Sequence, residues 1–99
     1  MVEITHHFIE GKYSKEMRFA AGDSMGKHVH QYAHESLLAV GRAHLFVEGV
    51  MSEIKAPLIV RIEANKRHVL VAVTDVVWFC THDTDETDPA KIDETLVAR

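Results

Sequence analysis

Four histidines in this chain are spaced so that they could bind a transition-metal ion. His28 and His30 are two residues apart, so on a β-strand both side chains point to the same side. His34 follows after enough chain for a turn, and His68 comes much later, at the start of another apolar segment. Neutral imidazoles suit Zn, Cu, Fe and Ni, and Mn is also possible. The spacing therefore predicts one divalent metal from this group.

The other four of the eight histidines are expected to lie outside this site. His6 and His7 are adjacent, so they point to opposite sides of a strand. His44 is close in sequence neither to His28, His30 and His34 nor to His68. His82 follows the predicted last strand and stands two residues after Cys80, without the spacing of a zinc finger. We expect Cys80 to be a small apolar residue in a core strand.

Short strands must position the four candidate ligands. Alternation of apolar and polar residues predicts strands over 2–9, 13–20, 36–40, 42–47, 51–56, 58–62, 69–73 and 76–81. Residues 21–24 are expected to form a loop and residues 27–31 to be extended. In the second strand Tyr13, Lys15, Met17 and Phe19 share one face. Eight to ten short strands at regular spacing are typical of an all-β, antiparallel sandwich or barrel such as a jelly roll.

Only the C-terminal end of the sequence has a helical pattern. Asp88 can cap a helix, Pro89 suits its first turn, and Ile92 and Leu96 fall four residues apart. The acidic stretch before Pro89 lacks the glycine that a calcium-binding loop needs at its sixth position, so a solvated loop is the better interpretation. We therefore expect one domain over residues 1–99, with a core at about 13–82 and an acidic loop and short helix at 83–99.

Composition limits the function classes and partners. The chain has 99 residues and a net charge of −4, without a basic patch that could follow nucleic-acid phosphates. No apolar run approaches the 18 residues of a membrane span, and residues 1–15 lack the apolar core of a signal peptide. A single cysteine excludes an intrachain disulfide. We expect a cytoplasmic protein that binds a small molecule, with neither nucleic acid nor membrane as a partner.

The segment around the first three histidines resembles the first motif of the cupin superfamily. That motif runs Gly, five residues, His-x-His, three or four residues, Glu, six residues and Gly. The sequence here gives Gly22, five residues, His28 and His30, three residues, His34, six residues and Gly41. Every spacing matches, although His34 stands where the family usually has glutamate.

The second cupin motif is matched more weakly. The second motif has, in order, Gly, Pro-x-Gly, His and Asn. At the corresponding positions this sequence has Pro57, Glu63, Asn65, His68 and Ala72, so that only the histidine is retained. Asn65 in place of glycine is a mild change, because asparagine tolerates a left-handed backbone. The resemblance covers residues 15–82, most of the chain.

The resemblance implies a small single-domain cupin whose metal ligands are His28, His30, His34 and His68. Glu35 is a rival for the third position, because the motif also permits four residues after His30. In that case His34 would face away from the metal. The alternation of side chains along a strand favours His34.

Resemblance to iron and manganese cupins implies a metal-dependent enzyme with dioxygenase-type chemistry on a small organic substrate. The alternatives are a sugar or keto-acid isomerase or lyase, with Tyr32 as an acid or base, and a binding module without turnover. Glu35 and Asp75 are candidate bases only through their proximity to the motifs, so no catalytic residue is assigned. A pocket lined by cations would favour an anionic substrate, and the candidates for such a lining are Arg18, Lys27, Arg42, Arg61, Lys66 and Arg67.

A homodimer is also expected. Small cupins are commonly dimers, and a two-fold dimer is the commonest soluble oligomer. We expect residues 2–9 to pair or exchange across the interface, since this would protect a sheet edge.

Overall fold

The structure is a computed structural model that describes residues 2–26 and 33–83. These residues form β-strands joined by short turns, and no helix occurs among them. The strands are β1 (Glu3–Ile9), β2 (Lys12–Phe19), β3 (Ser24–Met25), β4 (His34–Val40), β5 (Arg42–Val47), β6 (Val50–Lys55), β7 (Leu58–Ile62), β8 (His68–Ala72) and β9 (Val76–Asp83).

The strands form two antiparallel sheets that pack face to face. One sheet has the order β1-β2-β9-β4-β7, and the other has the order β3-β8-β5-β6. The predicted all-β antiparallel architecture is therefore confirmed. One element differs from the prediction, because the end of the expected loop at 21–24 belongs to β3, which pairs with β8.

Alternation along each strand places one set of side chains between the sheets. In β2, Tyr13, Met17 and Phe19 are buried, whereas Arg18 is exposed. The same period of two operates in β4, β8 and β9, because successive strand residues point to opposite faces. The principal core consists of Met17, Phe19, Leu38, Ala43, Leu45, Ile54, Ile62, Leu70, Ala72, Val76, Trp78 and Cys80.

The glycine that ends the first cupin-like motif is required by a close approach of two chain segments. Gly41 connects β4 to β5 with a φ of +94°. A Cβ atom at this position would overlap the backbone carbonyl oxygen of Asp75. Only glycine fits there without moving the backbone, so this motif residue has a structural role.

Several predicted features fall on residues that the structure does not describe. They are the extended segment at 27–31, the acidic loop after Asp83 and the C-terminal helix, and they remain predictions. In the described ranges, no helix is long and apolar enough to cross a membrane.

Candidate metal centre

His34 is the first residue of β4 and points between the sheets. It pairs with Ile62 of β7 and is only 4% exposed. Glu35 is the next residue along the strand, so its side chain is directed to the outer face, where it is exposed. Of the two rivals for the third ligand position, His34 therefore faces the interior and Glu35 faces away from it.

His68 is the first residue of β8, in the opposite sheet. Its position is fixed locally, because the backbone N–H of Glu48 donates to the carbonyl oxygen of Arg67 (2.9 Å), and the N–H of Arg67 donates to a Glu48 carboxylate oxygen (3.2 Å). The residue before this segment, Asn65, has a φ of 59°, as expected for an asparagine that replaces glycine in the motif. His68 pairs with Val47 of β5 and is 9% exposed.

Gly26 holds the end of β3 against the backbone of His68. Its φ is +134°, and a Cβ atom there would overlap the carbonyl oxygen of His68 and the Cα atom of Val69. Because only glycine allows this approach, Gly26 lets the end of β3 pack against the start of β8. Gly26, the last described residue before the gap at residues 27–32, therefore lies directly against the backbone of His68.

Substituting Gly26 by alanine is expected to lower the free energy of unfolding by at least about 2 kcal/mol, because strain at positive φ and a backbone overlap add together. Urea denaturation would measure the change. Gly11→Ala is the matched control, since Gly11 also has a positive φ (+73°) but nothing lies within 4 Å of its missing Cβ. An equal loss in the two variants would show that the overlap at His68 contributes nothing.

His34 and His68 bring two imidazoles together from facing sheets. Their ring centroids are 5.9 Å apart, and the planes are tilted by 58°. Both ring nitrogens of His34 and Nδ1 of His68 are buried. Two imidazoles that bind one ion at about 2.0–2.1 Å have ring centroids no more than roughly 6 Å apart. The separation of this pair lies near the upper end of what one shared ion allows, and imidazole is a donor type that suits a transition metal.

A third buried histidine was not expected at this place. His82 lies within β9, which continues past Thr81, and it is 6% exposed. Its ring centroid is 4.4 Å from that of His34. The expectation that His82 follows the last strand is therefore wrong. Extending the alternation from Trp78 and Cys80 by one more step would have placed His82 on their inner face.

A buried tyrosine continues this cluster toward the edge of the sheet. Tyr13 is 1% exposed, and its ring stacks on His82 with centroids 6.4 Å apart. Its hydroxyl lies 2.6 Å from Nδ1 of His6, within hydrogen-bond distance, and Phe8 packs on the ring. Tyr13 is therefore held by contacts on several sides, and it packs in turn on the ring of His82.

The other two predicted ligands, His28 and His30, lie outside the described residues. Within residues 2–26 and 33–83, no three histidine, cysteine, aspartate or glutamate side chains have an arrangement that could hold a metal ion. The described part of the chain thus supplies two of the four predicted imidazoles, with His82 packed against one of them.

Burial affects the ionisation of His68 in the direction that metal binding needs. Removal from water lowers the pKa of His68 below its ordinary value, and a hydrogen bond with the backbone of Lys66 partly opposes this effect. A lower pKa keeps the imidazole neutral, which is the form that coordinates metal.

The candidate bases from the sequence do not lie at this centre. Glu35 is exposed on the outer face, and Asp75 is exposed at the other end of β9, where it accepts a hydrogen bond from the backbone of Ala21 (3.0 Å). Asp75 precedes β9 and lies seven positions before His82, which corresponds to about 23 Å of extended chain. Tyr32, the acid or base of the isomerase alternative, lies outside the described residues.

Most of the candidate cations also point away from the interior. Exposed side chains are found at Arg18, Arg42, Arg61, Lys66 and Arg67, and Lys27 is not among the described residues. Arg18 and Arg61 are engaged by neighbouring carboxylates, Glu16 at 2.8 Å and Glu63 at 3.0 Å. Among the described residues, Lys15 is a half-buried cation on the same face of β2 as Tyr13 and Met17, and it is not one of the candidates named from the sequence.

Cys80 is a buried thiol beside the histidine cluster, as expected of a core residue. Trp78 Nε1 donates a hydrogen bond to its sulfur (3.0 Å), and Ser36 Oγ lies at 3.5 Å. Burial raises the pKa of the Cys80 thiol. Because reagents cannot reach the buried sulfur and little of the thiol is ionised, this cysteine should react slowly with alkylating agents and oxidants.

We expect iodoacetamide to alkylate Cys80 at least about 100-fold more slowly in the native protein than in urea at pH 8, because reaction requires local opening. Mass spectrometry would follow the modification, and the single cysteine makes the signal unambiguous. Equal rates in the two states would show that the thiol is accessible and the sheet locally open.

Comparisons with known proteins bear on the fold. A scan of the sequence against protein-family models gives no match, and a search of curated protein sequences gives none. Solved structures do match. A cupin superfamily protein from Desulfitobacterium hafniense aligns over 86% of this chain and 79% of its own, with a TM-score of 0.75 and 14% identity. This chain has the cupin fold.

Two further solved structures share the fold, one in a protein of similar length and one in a much longer protein. An RmlC-like cupin with a double-stranded β-helix fold from Methanocaldococcus jannaschii covers 86% of this chain and 82% of its own, with a TM-score of 0.74 and 15% identity. The salicylate 1,2-dioxygenase of Pseudoaminobacter salicylatoxidans, in complex with gentisate, covers 95% of this chain but only 26% of its own, with a TM-score of 0.77 and 13% identity. At such identities the likeness concerns the fold alone.

Proposed function

We propose that this cupin-fold protein binds one divalent transition metal through His28, His30, His34 and His68, and that it acts on a small organic substrate with dioxygenase-type chemistry. The observation that carries the proposal is the pair of buried imidazoles from facing sheets, with ring centroids 5.9 Å apart. The presence of the cupin fold in a salicylate dioxygenase supports the choice of chemistry.

The chain's own residues would have three roles at such a centre. His34 and His68 hold the metal, because both are buried and begin strands of opposite sheets. His82 packs on His34 and restrains its ring, as partners of metal-binding histidines commonly do. The apolar interior around Leu38 and Trp78 keeps bulk water from the site.

The metal, when bound, supplies the chemistry that these side chains lack, either as a Lewis acid or as the centre that activates oxygen. Four neutral imidazoles leave the full positive charge on the ion, since no carboxylate offsets it. Such a centre attracts an anionic or oxygen-rich ligand more strongly than one with a glutamate ligand.

The first test measures the metal content of untagged protein that was purified without nickel chromatography. Elemental analysis is expected to find about one equivalent of metal per chain, the stoichiometry of a single mononuclear centre. Iron, manganese or copper would support oxygen chemistry, whereas zinc or nickel would favour the isomerase or lyase alternative. Protein that contains no metal and takes up none would refute the proposal and leave a metal-free binding module.

Turnover is tested separately with an oxygen electrode. Iron-loaded protein is expected to consume oxygen with salicylate, gentisate or a related hydroxylated aromatic acid, and metal-free protein is the control. A metal-loaded protein that consumes no oxygen with any substrate of a phenolic and 1,3-diketone panel would contradict the dioxygenase assignment without contradicting the metal site.

We also propose that the protein is a cytoplasmic homodimer. Strand β1 lies at the edge of the five-stranded sheet and exposes Ile9 (67%) and Ile4 (40%). Pairing of two such edges would cover both the backbone and these side chains. Light scattering is expected to give about 22 kDa, twice the 11.2 kDa of one chain. A mass of one chain would disprove the dimer.

A further inference from the structure

The outer face of the five-stranded sheet carries a contiguous apolar patch. Phe79 of β9, Leu37 of β4 and Ile59 of β7 are neighbours in one row across the sheet. In the next row Val77 of β9 pairs with Val40 of β4. The exposed fractions of Ile59, Val40 and Leu37 are 72%, 52% and 37%, and the two residues of β9 are half-buried. These five residues, the outer patch, leave apolar surface of three adjacent strands in contact with water.

Polar side chains bound the outer patch on two sides. Glu16 of β2 stands next to it and is paired with His7 (2.9 Å) and Arg18 (2.8 Å). Further along β9, the hydroxyl of Thr81 is within hydrogen-bond distance of the hydroxyl of Ser14 (3.2 Å). An apolar area with such a polar boundary is typical of a surface that packs against another element.

A groove of about 460 Å³ continues the outer patch toward the start of β9. Val40 and Val77 line it together with Glu3, Arg18 and Asp75. Arg18 is engaged by the carboxylate of Glu16, so the two carboxylates give this end of the groove a negative charge. The patch and the groove together suit an element with apolar side chains followed by a cation.

The chain that follows β9 leaves from the middle strand of this sheet. β9 ends at Asp83, and residues 84–99 come after it. Phe79 lies about 13 Å back along the strand from that end, and Val77 lies about 20 Å back. Five residues, 84–88, span up to about 17 Å when extended. The rest of the segment can therefore return over the outer patch without strain in the connection.

The sequence of this segment matches the outer patch in type and in spacing. On the helix predicted after Pro89, Ile92 and Leu96 share one face and are about 6 Å apart along the axis. The two rows of the patch are about 7 Å apart along the strands, so each apolar side chain can meet one row. Arg99 follows Leu96 by three residues on the same face, in the direction of the acidic groove, whereas Glu94 is on the opposite face.

We propose that residues 89–99 form an amphipathic helix that docks on the outer patch of the same chain, with Ile92 and Leu96 against the two rows and Arg99 toward the acidic groove. A helix of this length is marginal alone in water, so the sheet and the segment depend on each other. A five-residue connection gives the segment an effective concentration of about a millimolar or more at the patch, which favours the same chain over a second copy. The inference does not depend on metal binding or turnover.

Limited trypsin digestion of the full chain tests the docking. Cleavage after Lys91 requires the segment to leave the sheet, and mass spectrometry detects the release of residues 92–99. Cleavage is expected to be at least about tenfold slower in the native protein than in a synthetic peptide of residues 84–99, since proteolysis follows the population of the open state. Ile59→Asp puts a charge into the outer patch and should remove most of this protection. Leu96→Asp should have the same effect from the side of the segment.

Met51→Asp is the matched control for Ile59→Asp. Met51 is a 50% exposed apolar residue of β6, in the other sheet, and its replacement should leave the protection at the wild-type level. Protection lost in Met51→Asp but kept in Ile59→Asp would place the segment on the four-stranded sheet and overturn the proposal. Equal cleavage rates of native protein and peptide would overturn it too.

Hydrogen exchange measures the docking without a protease. Backbone amides of residues 89–99 are expected to exchange at least about tenfold more slowly in the wild type than in Ile59→Asp. Slowing that increases with protein concentration would show docking on a second copy and refute docking within one chain. Thermal unfolding first establishes that each variant is folded, and Ile59→Ser replaces Ile59→Asp if the charged variant is not. Full protection of the segment in a folded variant at this position would contradict the proposal.

Discussion

Replacing His68 by alanine is expected to weaken the binding of a divalent transition metal by at least about 100-fold. Loss of a residue that only supports a ligand costs about 10- to 100-fold, so loss of a ligand itself should cost more. The same result is expected for His34→Ala, because both rings are buried and face each other across the two sheets. Competition with a chromogenic chelator measures the affinity, and elemental analysis measures the stoichiometry.

His44→Ala is the matched control for these variants. His44 is a half-buried histidine of β5, paired with Val71 and Glu53, and its strand position places it on the face opposite Leu45, which is buried in the core. Its removal deletes an imidazole from the same sheet as His68 without touching the centre. Wild-type affinity is expected for His44→Ala. If His68→Ala binds metal as tightly as His44→Ala, then His68 is not a ligand.

Metal binding is expected to raise the melting temperature of the protein by more than about 10 °C. A ligand that binds only the native state adds about 2.7 kcal/mol at a free concentration 100 times its dissociation constant. In a domain of this size each kcal/mol shifts the melting temperature by roughly 4–8 °C. Calorimetry with and without a chelator measures the difference.

The His34→Ala variant is the internal control, since at the same metal concentration its melting temperature should rise far less than that of the wild type. A chelator that leaves the melting temperature of metal-loaded wild type unchanged would contradict a linkage between metal and folding. Equal metal responses of wild type and His34→Ala would instead show that the ion binds elsewhere on the native chain.

Both the free energy of unfolding and the metal affinity are expected to fall as the pH is lowered. Burial lowers the pKa of His68 in the folded protein, so between the ordinary value and the lowered one the unfolded chain binds more protons. The stability that His68 contributes is therefore complete above about pH 6.5 and is lost as the pH falls below it. Metal affinity falls in the same direction, because each imidazole must lose its proton to bind.

The sequence alone is sufficient to predict most of the local structure of this protein. Alternation of residue types predicts the longer strands, because a strand half-buried against a core must be apolar on one side only; the two-residue β3 has no such pattern. The same alternation separates His34 from Glu35 and places them on opposite faces. The left-handed backbone of Asn65 is also a local feature, because it depends on backbone sterics within a turn, whereas the glycine at position 41 is required by the approach of Asp75 from a distant segment.

Only the tertiary structure decides which face of each strand is the inner one and which strands become neighbours. The pairing of β2 with β9 joins residues nearly 70 positions apart, such as Tyr13 and His82, and no local pattern specifies it. For this reason the sequence does not show that His82 packs beside His34 and Tyr13, or that Asp75 lies at the end of β9 away from His82. Strand alternation divides side chains into two sets, but the packing of two sheets, driven by burial of their apolar area, determines which set encloses the site.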